Sequence, residues 1–127
     1  MEQERRCIFC EPVASRLIAA DPLAYAIRDV FPVSMGHTLI IPRRHVAGLF
    51  DATDEELKAI FRLLRICRDE LMQAYTPDGY NVGVNIGRAA GQTIFHLHVH
   101  LIPRYSSDCA DPTGGVRNVI PGSGPYR

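Results

Sequence analysis

The stretch GQTIFHLHVHLIPR, residues 91–104, sets His96, His98 and His100 at every second position of an otherwise apolar run. Alternation with period two predicts a strand over residues 93–102. On an extended strand, positions i, i+2 and i+4 share a face. The three imidazoles are therefore expected to line one surface or cleft, with Phe95, Leu97, Val99 and Leu101 turned into the core. Imidazole titrates near neutral pH, binds metals and serves as a nucleophile. The spacing limits what three of them can share. At about 3.3 Å per residue, His96 and His100 stand roughly 13 Å apart along a regular strand, whereas a zinc–nitrogen bond is about 2.0 Å. The roles are expected to divide, one histidine serving a metal and another staying free as base or nucleophile.

Working outward, GRAAGQ (87–92) reads as a flexible loop, YNVGVNI (80–86) as a strand and TPDG (76–79) as a turn. DATDEELKAIFRLLRICRDELMQAY (51–75) is the clearest helix. Thr53 with Glu56 three positions on makes a capping box, and Leu57, Ile60, Phe61, Leu64, Cys67, Leu71 and Tyr75 form one apolar stripe at helical spacing. HTLIIP (37–42) is a strand stopped by Pro42, and FPVSMG (31–36) a loop. SRLIAADPLAYAIRD (15–29) is a hairpin about Asp21-Pro22. The Gly- and Pro-rich tail, residues 105–127, is expected to hold little regular structure. The fold class is α+β: a mostly antiparallel sheet, one long helix and a short helical segment, in a single domain spanning 1–127 with its core at about 7–104.

A chain of 127 residues with 46% hydrophobic residues is long and apolar enough for one real core. Fourteen basic and fourteen acidic side chains balance, which excludes the broad basic footprint of a general nucleic-acid binder. The opening MEQERRCIFC is charged and no long apolar segment follows it, so neither signal peptide nor membrane span is expected and the default compartment is the cytoplasm. There, Cys7-x-x-Cys10 reads as metal or redox chemistry rather than a structural disulfide. A tetrahedral zinc site would need two more ligands, for which histidine is the usual partner. A redox pair or two idle cysteines would look the same. GRAAGQT lacks the Gly-Lys-Ser/Thr ending of a phosphate-binding loop, which argues against a Walker-type NTPase.

The run His96-Leu97-His98-Val99-His100-Leu101-Ile102 resembles the His-φ-His-φ-His-φ-φ motif of the histidine triad (HIT) superfamily, φ being apolar. CIFC resembles the opening of bacterial members, GHTLIIPRRH (36–45) their third strand and its sequel, and NIGRAAGQTIFH (85–96) the loop before the triad. DPTGGVRNVIP in the tail is similar to some bacterial members as well.

The resemblance implies a nucleotide-binding α+β fold, a homodimer, and hydrolysis or transfer of nucleotides such as dinucleoside polyphosphates and phosphoramidates, adenosine being the expected nucleoside. It implies His98 as nucleophile toward the α-phosphorus, with its tautomer fixed by a backbone carbonyl near His96. His100 would contact the transferred phosphate or leaving group, and His37 would support them. Gln92, Thr93 and Asn85 would hold phosphates, Asp29 would accept from the ribose hydroxyls, and Ile8, Phe9 and Val30 would wall the base. Zinc-binding relatives imply Cys7, Cys10, His45 and His96 as ligands of a structural zinc. Cys67 is expected in the core. The competing reading is a nucleotide-binding sensor or scaffold with little turnover, and a third is a zinc module with a redox pair. Dependence of AMP release on His98 separates them.

Overall fold

The computed structural model describes residues 7–125, so the charged opening, residues 1–6, lies outside the described residues. The expected hairpin is present as β1 (Leu17–Ala20) and β2 (Ala24–Arg28). β3 (Thr38–Pro42), α1 (Asp54–Ala74), β4 (Gly79–Gly83) and β5 (Val99–Arg104) follow. The strands form one antiparallel sheet in the order β1-β2-β3-β5-β4. Short 3₁₀ turns at Ala14–Arg16, Leu49–Asp51, Arg88–Ala90 and Gly115–Val119 account for the remaining helical structure. Among the described residues, no helix is long and apolar enough to cross a membrane.

The pleat of the sheet sorts the core into two layers. Ala24, Ala26, Ile40, Val99 and Leu101 face α1 and pack against Ala59, Ile60, Leu63, Cys67 and Leu71. Tyr25, Ile27, Leu39 and Ile41 lie in a separate cluster with Phe9. His100 stands opposite Leu39 in the ladder, so β5 carries core residues on one side and an imidazole on the other. Gly36, two residues before β3, has φ +92° and lies beside the C-terminal end of α1. A Cβ there would come within 2.7 Å of Leu71, so both the positive φ and the close approach require glycine.

α1 begins where the capping box placed it. Thr53 Oγ1 accepts from the Glu56 N–H at 3.1 Å, and Glu56 accepts from the Thr53 N–H at 2.8 Å. Glu56 is buried, and the Arg44 guanidinium grips its carboxylate with two bonds of 2.9 Å. Those bonds, ahead of the cost of burial, pull its pKa down to about 2. Arg44 precedes His45, so the same pair ties the helix start to the segment that carries His45.

Three expectations need correction. The triad strand begins at Val99, not at residue 93; residues 93–98 form a bent segment in which the Leu97 N–H bonds the Val46 carbonyl at 2.7 Å instead of a strand partner. The three histidines therefore do not share a face, and Phe95 is only half-buried, with the Arg88 guanidinium 5.0 Å from its ring centroid. β4 stops at Gly83, leaving Val84–Ile86 as loop. The stripe on α1 is rotated: Ile60, Cys67 and Leu71 are core as expected, but Ala59, Leu63 and Glu56 are buried in place of Phe61, which is 58% exposed. Hydrophobicity alone did not distinguish the face meeting the sheet from the neighbouring face.

Candidate active site and metal centre

Two constellations flank residue 97. The first is assembled from three segments: the CIFC turn, the chain leaving β3, and the bend before β5. Cys10 Sγ lies 3.1 Å from His45 Nδ1 and 3.6 Å from His96 Nδ1, Cys7 Sγ lies 3.4 Å from His96 Nδ1, and the two Nδ1 atoms are 3.2 Å apart. A tetrahedral zinc, bonded at ~2.3 Å to sulfur and ~2.0 Å to nitrogen, separates its ligand atoms by roughly 3.3–3.8 Å. The set fits. The tautomer fits too: His96 Nε2–H donates to the Pro42 carbonyl at 2.7 Å, which leaves Nδ1 bare toward the other three ligand atoms. His96 is wholly buried, and burial, offset in part by that carbonyl, pushes its pKa below the ordinary histidine value.

The second constellation lines a cleft of about 280 Å³ on the sheet face away from α1. His98 Nδ1–H donates to the carbonyl of His96 at 2.8 Å, leaving Nε2 with its lone pair. This is the reverse of the His96 tautomer, two residues away. Beside it, hydrogen bonds settle a chain of imidazoles. The Val33 N–H donates to His37 Nδ1 at 3.1 Å, so His37 carries its proton on Nε2. That proton points at His100 Nδ1, 2.9 Å away. His100 then holds its own proton on Nε2, which is buried and has no hydrogen-bond partner among the described residues. A buried donor without a partner is costly unless a ligand satisfies it. Burial first, then the neighbouring His98 and His37, push the His100 pKa down to about 4, so this donor is a neutral imidazole. Burial also lowers the pKa of His37, against the pull of Asp29.

Asp29 Oδ2 is 3.5 Å from His37 Nε2, and Asp29, His37 and His100 place one ligand atom each within 4.8 Å of the others. The backbone N–H on His37 Nδ1 argues against a cation there, because it keeps the proton on the nitrogen that would have to ligate. The cluster is a hydrogen-bond relay.

Of the residues expected around a nucleotide, Ile8, Phe9, Asp29, Val30, Asn85, Thr93, His98 and His100 all line the cleft. Gln92 is the exception. It is buried, with its Oε1 accepting from the Gly87 N–H at 2.9 Å and its Nε2 donating to the Ala47 and Ile94 carbonyls at 2.7 and 3.1 Å. Its side chain is spent on bracing the loop below Thr93. His37 sits behind His100 rather than at the cleft wall. Arg16, Ile27, Phe31, Leu39, Gly91 and Ile94 also line the cleft and were not singled out. Ile27 and Leu39 were within reach of the sequence, since each stands two positions from a chosen residue, Asp29 and His37. Arg16 gave no such signal.

The two constellations share parts. Cys7 and Cys10 bracket Ile8 and Phe9, so two members of the Cys–His cluster stand at the ends of the turn that supplies one cleft wall. The Phe9 ring centroid is 6.0 Å from that of His96 and 5.2 Å from that of His98, and the Tyr25 hydroxyl pins the Phe9 carbonyl at 2.6 Å.

Comparison with known proteins agrees with this arrangement. The HIT domain family model matches residues 12–107. Protein hit of Bacillus subtilis is 38% identical over 113 residues, covering 83% of this chain and 75% of its own. An adenosine 5'-monophosphoramidase of Schizosaccharomyces pombe is 36% identical, covering 77% and 74%. A bis(5'-nucleosyl)-tetraphosphatase (asymmetrical) of the same organism is 35% identical, covering 79% and 55%. Among solved structures, a HIT family protein from Bacillus anthracis matches with a TM-score of 0.74 at 36% identity, covering 80% and 75%. A Zn-bound histidine triad family protein from Mycobacterium smegmatis matches with 0.74 at 30% identity, covering 85% and 81%.

Proposed function

This chain belongs to the HIT domain family, and from that premise we propose that it is a nucleotide hydrolase or transferase that cleaves at an α-phosphate through a nucleotidyl-histidine intermediate. The observation that carries the reading is the bond from His98 Nδ1–H to the His96 carbonyl, which turns Nε2 to the cleft. His98 Nε2 attacks the α-phosphorus and a phosphorus–nitrogen bond forms as the bond to the leaving group breaks. Water then displaces the imidazole, releases the nucleoside monophosphate and restores His98. Dividing one displacement into two is the use of a covalent nucleophile. The Nε2–H of His100 donates to a phosphate or leaving-group oxygen where charge develops, and the His37 relay keeps that proton in place. Asn85 and Thr93 line the phosphate end and Asp29 receives the sugar. The names of the phosphoramidase and the tetraphosphatase support the leaving groups expected: an amine or a nucleoside polyphosphate.

Cys7, Cys10, His45 and His96 would hold a zinc ion with no position left open. Bound there, the ion supplies a structural cross-link rather than Lewis-acid chemistry. Rapid-quench labelling with an α-³²P phosphoramidate or polyphosphate substrate tests the proposal. The expected result is an acid-labile label on His98 that is absent from His98→Ala. Label on another residue refutes it.

We also propose a homodimer. β4 is the edge of the sheet, and Phe61, Leu64, Tyr80 and Val82 leave an apolar groove between it and α1, Phe61 and Val82 being 58% and 48% exposed. Sedimentation at micromolar concentration is expected to give twice the chain mass of 14.1 kDa, and Phe61→Glu to halve it.

A further inference from the structure

We infer that Arg16 selects the base, favouring a purine that shows two adjacent acceptors, O6 and N7 of guanine or hypoxanthine, over adenine. The inference rests on the nucleotide reading of the cleft and departs from the adenosine expectation.

Arg16 is the one cation among the described residues that line the cleft. Its position is fixed by the sheet. It precedes β1, and its Nη2 donates to the carbonyl of Arg28 at 2.9 Å, between the cleft residues Ile27 and Asp29. That carbonyl belongs to β2, two strands away from the β5 strand that carries His100, a separation of roughly 10 Å at the usual strand spacing. A phosphorus in reach of His98 is therefore remote from a guanidinium anchored on Arg28. The Arg28 carbonyl stands in the chain between Ile27 and Asp29, which line the cleft together with the apolar Ile8, Phe9 and Val30. A phosphate on the sugar would meet the Asp29 carboxylate. A base on the apolar wall would meet Arg16 with its edge.

A guanidinium has five donors and no acceptor, and the Arg28 carbonyl takes one of the five. Donors alone suit O6 and N7 of guanine, the commonest specific arginine contact to a base, whereas adenine offers the amino group N6 beside N7. The side chain of Arg28 does not compete, since it is turned to Thr38 and Glu70.

The test is calorimetric binding of GMP, IMP, AMP and CMP to the zinc-loaded protein and to Arg16→Ala and Arg16→Gln. Arg16 is exposed and makes a single side-chain hydrogen bond, so both variants are expected to fold. GMP and IMP should bind about tenfold more tightly than AMP, and Arg16→Ala should bring the three within about twofold. Glutamine pairs with N6 and N7 of adenine, so Arg16→Gln should move AMP ahead. AMP binding as tightly as GMP to the wild type overturns the inference. So does an equal loss for every nucleotide in Arg16→Ala, which would make Arg16 a phosphate or sugar contact. Failure of all four mononucleotides to bind overturns the nucleotide reading itself, and this inference with it.

Discussion

The cysteine–histidine corner and the cleft use the same side chain for opposite ends. In the corner, His96 Nε2–H donates to the Pro42 carbonyl and Nδ1 faces Cys7, Cys10 and His45. In the cleft, His98 Nδ1–H donates to the His96 carbonyl and the ring lines the open space. What separates the candidate ligand from the proposed nucleophile is which nitrogen a backbone carbonyl has claimed. His37 and His100 add a third arrangement, in which each Nδ1 accepts a hydrogen bond and the His100 Nε2 is left buried without a partner among the described residues.

The sharpest break in this comparison is His98→Ala. Turnover should fall by on the order of 10⁴-fold or more, the scale of losing a covalent nucleophile. Nucleotide affinity should stay within a few-fold, because Asp29 and the apolar wall are untouched. Near-normal kcat in this variant would show the division of roles to be wrong, and unchanged binding with no detectable turnover in the wild type would support the sensor reading.

The corner should respond in the opposite way. Cys10→Ser, or removal of zinc by chelation, should cost more than about 3 kcal/mol of stability, as loss of a metal in a core does. Saturated kcat should change much less. Nucleotide affinity should weaken, since Ile8 and Phe9 lie between the two cysteine ligands. Thermal melts and calorimetry on loaded and stripped protein check both halves. Metal analysis of a carefully purified sample should find one zinc per chain.

A smaller effect is expected behind the cleft. His37→Ala leaves His98 intact but frees His100 to change tautomer, and should lower kcat by about 10- to 100-fold, as loss of an orienting partner does. Substitution of His100 itself should cost on the order of 10²- to 10³-fold, the price of one transition-state donor. If His37→Ala is silent, the relay does not orient His100.

The mildest signature is in stability against pH. A histidine whose folded pKa lies below its unfolded value is neutral in both states at pH 7. As pH falls below about 6.5, the unfolded chain takes up the proton and the folded chain resists it. His100, pushed down to about 4, and His37, pushed in the same direction, thus destabilise the fold progressively between about pH 6.5 and 4. Melting temperatures over that range should fall less steeply for His100→Asn than for the wild type. Parallel slopes would count against the buried neutral pair.

Much of the molecule was legible in the chain. The hairpin, β3, the capped start of α1 and the antiparallel α+β class follow from period-two and period-3.6 patterns and from Thr53 and Glu56. The four residues of the Cys–His cluster and most of the cleft lining came through the resemblance carried by the triad, CIFC and the loop before it. The misses have a common cause. Alternation over 93–98 looked like strand because periodicity cannot see that Leu97 bonds Val46. The Gln92 side chain, expected at a phosphate, is turned to the backbone of Gly87, Ile94 and Ala47, and the last of these lies 45 positions away, beyond any local pattern.

The sequence by itself determined the residue types, the local periods and the family. Those depend on neighbours within a few positions along the chain. Tertiary structure decided how two of the imidazoles are turned, because a tautomer is set by whichever partner the other nitrogen meets: His96 Nε2–H finds the Pro42 carbonyl at the end of β3, and His37 Nε2–H finds His100 on β5. It likewise brought Arg16 to the cleft through a carbonyl on a neighbouring strand, a contact between atoms that no spacing in the sequence records.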